Sequence, residues 1–277
     1  MKKQIYAGIV SYNPDIAEIK QEIESLKALN IPLVIIDNNS NNKSILRTLF
    51  NQYSGIISVI WNEENCGIAK AHNQIMKVCE SKGATHVITF DQDSIIPQNI
   101  ISEYSKYVND DIGVICPTIN YLNCENKKKP TSTTVIEREW CIASASMINI
   151  KAWRAVEGFD ERMFIDLVDT DFCLRLRRAG YKNIELTTVV LNHNLGTPMK
   201  KRILFKTFTT TNHSAFRKYY RIRNNIYIAR KGLSSPLKAL YHIWVIFWET
   251  VFLEPQKKEK MKSILRGVLD GFKMDIQ

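Results

Sequence analysis

Along the first 120 residues, short apolar runs alternate with longer stretches in which apolar side chains recur every three or four positions. Residues 5–10 form a run of the first kind, broken by Ser11-Tyr12-Asn13-Pro14. Residues 16–29 are of the second kind, with Ile19, Ile23 and Leu26 on one helical face. The same reading predicts strands at 32–36, 56–61, 86–90 and 112–116. Helices are predicted through Leu46 and Leu49, over 68–79 and over 100–108. Such a β-α-β-α order implies an α/β fold, a mostly parallel sheet flanked by helices. Right-handed crossovers bring the C-terminal ends of parallel strands to one edge, where open α/β sheets bind ligands. The predicted strands end in polar groups: Ser11 to Asn13, Asp37-Asn38-Asn39-Ser40, Asn62 to Gly67 and Asp91-Gln92-Asp93. No GxGxxG or GxxxxGK[ST] follows any strand, which disfavours a dinucleotide-dependent dehydrogenase or a P-loop NTPase.

Composition narrows the class without changing this picture. The chain has 277 residues, 45% apolar and 24% charged, which excludes disordered, collagen-like and coiled-coil proteins. Its length suffices for a core that needs no disulfide or metal staple. Two lysines precede the first apolar run, but Asn13, Pro14 and Asp15 soon break it, so it reads as a strand and not as a signal peptide. The six cysteines show no CxxC or zinc-like spacing and fit reduced thiols in a cytoplasmic protein.

Charge adds a division. From Lys200 to Gln277 the chain holds 17 Lys and Arg against 5 Asp and Glu, whereas the preceding 199 residues hold 21 against 23. A near-neutral body at 1–200 is thus followed by a basic, helical extension at 201–277, which should attract an anionic partner. Within it, residues 236–255 place Trp244, Phe247, Trp248, Val251 and Phe252 at helical spacing between lysines. The uninterrupted apolar stretch is far short of the ~20 residues that span a bilayer. Two readings stay open: a helix packed on the body's own core, or an amphipathic helix on the inner face of the plasma membrane. Nucleic acid is disfavoured, because no RNP, zinc-finger or Gly-rich RNA-binding pattern is present.

Carboxylates supply the candidate chemistry. Asp91 and Asp93 follow the strand HVITF, where two carboxylates one residue apart can hold a hard divalent cation or merely cap a turn. Asp169 precedes a helix with Phe172 and Leu176 on one face and Arg175, Arg177 and Arg178 near its end. An acid there is a helix cap or, facing a cleft, a general base.

The ordered set IVSYNP (9–14), IIDNNS (35–40), NCGIAKAHN (65–73), FDQDS (90–94), GFDERMFID (158–166) and VDTDFCLRLRRAGY (168–181) resembles the inverting family 2 glycosyltransferases, which have the GT-A fold. The likeness runs from about residue 5 to residue 230. FIDLVDTDFCLR, HNLG (193–196) and YYRIRNN (219–225) resemble the bacterial rhamnosyltransferase branch. The resemblance implies a nucleotide-sugar-binding GT-A domain over 1–200, with a donor half at about 1–117 and an acceptor half at about 118–200. It implies Ser11, Asn13, Asp37, Asn39, Asn65, Gly67, Ala69, Asn73 and Asp91 as donor contacts. Asp93 and His193 would hold Mg2+ or Mn2+, and Asp169 would be the catalytic base. Trp140 and Ser144 are implied as acceptor contacts, although Trp140 fits a packed core position equally well. Val168 stands where the family usually has Glu, and Ala145 where relatives commonly have Gly. The implied reaction moves L-rhamnose from dTDP-β-L-rhamnose to a lipid-linked saccharide. A different nucleotide-sugar donor, or a non-catalytic sugar-binding or assembly protein, are the alternatives.

Overall fold

All five predicted strands form in the computed structural model, which describes residues 4–121, 133–193, 199–203 and 206–276. In chain order the elements are β1 (Ile5–Ser11), α1 (Ile16–Ala28), β2 (Leu33–Asp37), α2 (Lys43–Asn51), β3 (Ile57–Trp61), α3 (Gly67–Ser81), β4 (His86–Asp91), α4 (Ile100–Ser105), β5 (Ile112–Tyr121), β6 (Val135–Arg138), β7 (Ser146–Asn149), α5 (Ile150–Ala155), α6 (Val168–Arg178), β8 (Lys182–His193), β9 (Met199–Ile203), β10 (Lys206–Thr210), α7 (Ala215–Arg230), α8 (Pro236–Phe252) and α9 (Lys257–Lys273). They fall into two compact units. One draws on Met1–Asn120, Asn126–Arg162 and Val168–His193, the other on Tyr121–Glu125, Met163–Leu167 and Asn194–Gln277.

The first unit is an eight-stranded sheet in the order β3-β2-β1-β4-β7-β5-β8-β6. β3, β2, β1 and β4 are mutually parallel. β2 is buried at every residue, as expected for a parallel strand covered on both faces. α1 contributes Ile19, Ile23 and Leu26 to the core, and Asp15 caps it by accepting from the amides of Ala17 and Glu18. β7 runs antiparallel between β4 and β5, so β5 points the same way as the first four strands, and because β6 and β8 oppose each other six of the eight share one direction. β8 pairs antiparallel with β6. β5 extends to Tyr121, beyond the predicted stop at 116, and the Thr118 hydroxyl there donates to Glu185 of β8 at 2.6 Å.

In the second unit, β9 and β10 form an antiparallel hairpin, and Ile222 and Ile226 of α7, Ile246 of α8 and Ile264 of α9 form a small apolar core. α9 lies close on α7 because of two glycines. A Cβ at Gly267 would sit 2.7 Å from the Tyr219 carbonyl oxygen, and one at Gly271 2.9 Å from that of Arg223.

Beside this core lies a buried ionic group. The Glu254 carboxylate accepts from Thr210 at 2.5 Å, Lys218 at 3.0 Å and Lys260 at 2.9 Å, and Lys260 also donates to Asn212 at 2.7 Å. Burial alone would raise the Glu254 carboxyl, but these donors outweigh it and hold it below the usual carboxylate range. Lys218 shares that carboxylate with Lys260, so for Lys218 burial wins and its ammonium is pushed below its ordinary value.

α8 turns Ala239, Ile246 and Thr250 inward, Ile246 into the core shared with α7 and α9, and Leu237, Leu240, Trp244 and Phe247 outward. Among the described residues no helix is long and apolar enough to cross a membrane.

Candidate active site

The site is built at the C-terminal ends of β1, β2 and β4. The register sets Ser11 beside Asp37 and Val10 beside Asp91, so three neighbouring strands deliver polar side chains to one edge. Asp37 is fully buried; it accepts from the hydroxyls of Ser11 at 3.1 Å and Ser40 at 2.5 Å and from the Ser40 amide at 3.0 Å. Asn13 and Asn39, both exposed, have left-handed backbones with φ of 49° and 71°. The turn after β1 is tied to the turn after β2, because Asn13 donates its amide to Ser40 and accepts from the amide of Asn41.

A set of carboxamides frames this edge, and three of them, Asn38, Asn62 and Gln74, have no individual role in the sequence reading. Asn38 donates to Asn65 and to the Gly67 carbonyl and accepts from Asn62. Asn62 and Gln74 exchange a reciprocal pair of bonds at 3.0 and 2.9 Å. Asn65 also accepts from the Gly67 amide at the start of α3, and Ala69 is buried two residues on. Asn65, Gly67 and Ala69 therefore come together beside the end of β2.

Asn73 is placed otherwise. Its side-chain oxygen accepts from the Trp153 indole at 3.0 Å and the Phe159 amide at 2.8 Å, and its NH2 donates to the Phe159 carbonyl and to Glu161. All of its hydrogen-bonding capacity is engaged by the 153–161 segment. Gly158 is required there, because a Cβ would lie 2.6 Å from the Asn73 oxygen and φ is 77°.

Asp91 ends β4 and Asp93 is exposed two residues later. Gln92 between them zips to Tyr12, accepting from its amide at 2.8 Å and donating to its carbonyl, which fixes the turn against β1. Glu22 of α1 is buried, and neither carboxyl oxygen has a hydrogen-bond partner. Burial first, then the charges of Asp91 and Asp93, push its pKa well above the usual carboxylate range. Among the described residues no three His, Cys, Asp or Glu side chains gather as a closed metal cage. Mg2+ and related cations commonly bind through one or two carboxylates plus substrate phosphates, and the Asp91–Asp93 pair fits that manner. His193 ends β8, and its side chain lies outside the described residues.

The loop before β7 borders Ser94, whose hydroxyl lies 3.2 Å from that of the buried Ser144. Ala145 follows with φ of 54°, the conformation in which glycine is the easier residue. Its carbonyl is held at 2.8 Å by the buried hydroxyl of Tyr104. Trp140 is 46% exposed and so is not enclosed in the core.

Asp169 is the second residue of α6, where unpaired backbone amides favour a negative charge. It is half-buried and accepts from the Thr170 amide at 2.8 Å. Within α6 the buried Asp171 pairs with Arg175 at 2.7 Å, and Phe172 anchors the helix by packing tilted on Phe159 with ring centroids 4.2 Å apart. A chain of contacts thus runs from Asn73 through Phe159 to the helix that carries Asp169.

In the second unit, Asp166 and Leu167 have φ of 64° and 61°, rare for residues with side chains. The Asn224 amide donates to the carbonyls of Ile165 and Asp166, both at 2.8 Å, and Arg217 grips the Asp166 carboxylate with two nitrogens.

Comparison with known proteins places this arrangement. Residues 6–179 match the sequence profile of glycosyl transferase family 2. The chain is 29% identical to the dTDP-rhamnosyl transferase RfbF of Shigella flexneri, over 99% of this chain and 97% of that one. The fold is similar to that of GalNAc-T7 solved with UDP, GalNAc and Mn2+ (TM-score 0.63, 12% identity); 98% of this chain is covered but only 56% of that one. S. aureus TarS 1-349 with UDP-GlcNAc gives a TM-score of 0.63 at 13% identity, covering 96% and 81% of the two chains. The mannosyltransferase PcManGT of Pyrobaculum calidifontis, with GDP-Man and Mn2+, gives 0.58 at 12% identity, covering 100% and 77%.

Proposed function

Because the chain belongs to glycosyl transferase family 2, we propose that it moves L-rhamnose from dTDP-β-L-rhamnose to a hydroxyl of a lipid-linked saccharide, inverting the anomeric carbon. The observation that carries the donor assignment is the 29% identity, over nearly the whole chain, to a dTDP-rhamnosyl transferase. Ser11, Asn13, Asp37, Asn39 and Asp91 hold the nucleotide at the sheet edge in this reading, and Asn65, Gly67 and Ala69 shape its floor. Asn73 acts by positioning the 153–161 segment, since protein groups occupy its amide. Asp93 and His193 would hold a divalent cation, which when bound would offset charge on the donor diphosphate. Trp140 offers its exposed ring to an acceptor sugar, and the loop at Ser144 borders the same acceptor.

Asp169 takes the proton of the acceptor hydroxyl as that oxygen bonds to the anomeric carbon and the bond to dTDP breaks. The proton ends on the carboxylate and the electron pair leaves with dTDP. A single in-line displacement yields an α-L-rhamnoside. Work on acceptors at the inner leaflet, where a peripheral cytoplasmic enzyme would meet them, follows from this reading.

A nucleotide-release assay across dTDP-, UDP- and GDP-sugars, with and without Mg2+ or Mn2+, tests the donor. Metal-dependent release from dTDP-rhamnose alone is expected. Preference for a UDP- or GDP-sugar would keep the family and discard the rhamnosyl assignment. Asp169→Asn should cut transfer by about 10²–10⁴-fold and leave donor affinity unchanged; retained turnover would remove Asp169 from the base role.

A further inference from the structure

The face of α8 opposite its packed side is apolar and uncovered. Leu237, Leu240, Tyr241, Trp244, Phe247 and Phe252 share this face, and each is exposed, from 42% at Phe247 to 78% at Leu237. The buried residues Ala239, Ile246 and Thr250 lie on the other side. Such a continuous row differs from the scattered apolar side chains of an ordinary surface. Its aromatic members are those that favour a headgroup boundary.

Charge surrounds the row at both ends. The β9–β10 hairpin is fastened to the end of α8, where Lys201 donates to the Phe252 carbonyl at 2.8 Å and Phe208 packs on Trp248 with ring centroids 5.3 Å apart. The hairpin thereby brings the exposed Lys200, Lys201 and Arg202 to that end. Exposed Lys238 stands at the other. We propose that the outward face of α8, with the basic hairpin beside it, is a docking surface for an anionic lipid bilayer, on which the helix lies flat. At 17 residues the helix is about 26 Å long, enough for an in-plane contact. A second copy of the chain is a poorer occupant, because a two-fold pairing of antiparallel α8 helices would set a cationic hairpin against another cationic end. The proposal does not depend on the rhamnosyl donor.

The experiment is flotation of the full chain with phosphatidylcholine vesicles, with and without phosphatidylglycerol, at low and high salt. Binding is expected only to the anionic vesicles, weakening as salt rises. Trp244→Glu should weaken binding at least about tenfold, as expected when a charge replaces a buried interfacial aromatic. Lys200→Ala and Arg202→Ala should each weaken it about fivefold. All three sites are exposed, and circular dichroism would verify folding. Failure of the wild-type chain to float with anionic vesicles would overturn the proposal. So would equal flotation of wild type and Trp244→Glu. Light scattering that shows a lipid-free dimer, lost in Trp244→Glu, would assign the face to a second copy instead.

Discussion

In the first unit, polar side chains gather where β1, β2 and β4 end, above a core made of apolar strands and helices. In the second, a small cluster of isoleucines shares the interior with a carboxylate and two ammonium groups. The difference separates chemistry from cohesion. An exposed charge at the sheet edge, such as Asp93, can be altered at little cost to the fold. A charge in the second unit is part of what holds α7, α8 and α9 together. Buried ion pairs cost desolvation and contribute little net stability, but removing one partner strands the others, which makes them sensitive points.

The largest effect should come from Glu254→Ala. It leaves Lys218 and Lys260 buried without their carboxylate and should cost about 3–5 kcal/mol. Hydrogen exchange should show lost protection in α7 to α9 with the amides of β1 and β2 still protected. Equal loss in the strands would break the comparison. Acid should act on the same group. The Glu254 carboxyl is held below its ordinary value, so its contribution is present above about 4.5 and disappears as pH falls through the lowered folded value.

His72 gives the first unit its own pH dependence. The ring is buried edge-on to Phe159 with centroids 5.1 Å apart, and its Nδ1 has no partner. Burial pulls its pKa from 6.5 to about 4. The unfolded chain therefore takes up the proton first. Stability is full above 6.5 and falls between 6.5 and about 4, by on the order of 3 kcal/mol. Urea titrations across this range should show a smaller loss in His72→Leu than in the wild type, the remainder coming from His213. The window lies above that of Glu254, and His213 of the second unit, likewise pulled from 6.5 to about 4 by burial, titrates over the same range as His72.

The smallest effect is expected at the α7–α9 contact. Gly267→Ala sets a methyl 2.7 Å from the Tyr219 carbonyl oxygen, so the helices must part. A loss of about 1–3 kcal/mol, read by thermal melting, is expected. An unchanged melting temperature would mean that this packing yields more readily than its spacing implies.

The parallel strands were legible because strands buried on both faces read as unbroken apolar runs, and their polar ends marked the site edge. β7 was not legible, since Ser146–Asn149 is four residues long and shows neither a long run nor clean alternation. The carboxamide frame was hidden for a related reason. Asn38, Asn62 and Gln74 read locally as turn or helix-surface residues, and only the fold brings them together. Family resemblance placed Asn73 beside the nucleotide, yet its partners are Trp153 and Phe159, more than 80 positions away in the case of Phe159. Lys218 and Lys260 counted toward the basic extension, whereas in the structure they are buried against Glu254.

The last of these has a practical side. A basic C-terminal stretch invites trimming to improve solubility or crystal growth. Here the final helix supplies Lys260 to the buried carboxylate and sets Gly267 and Gly271 against the α7 backbone. Cutting ahead of residue 257 would remove a structural wall, and the shortened chain would expose the isoleucines behind it to proteases and to self-association.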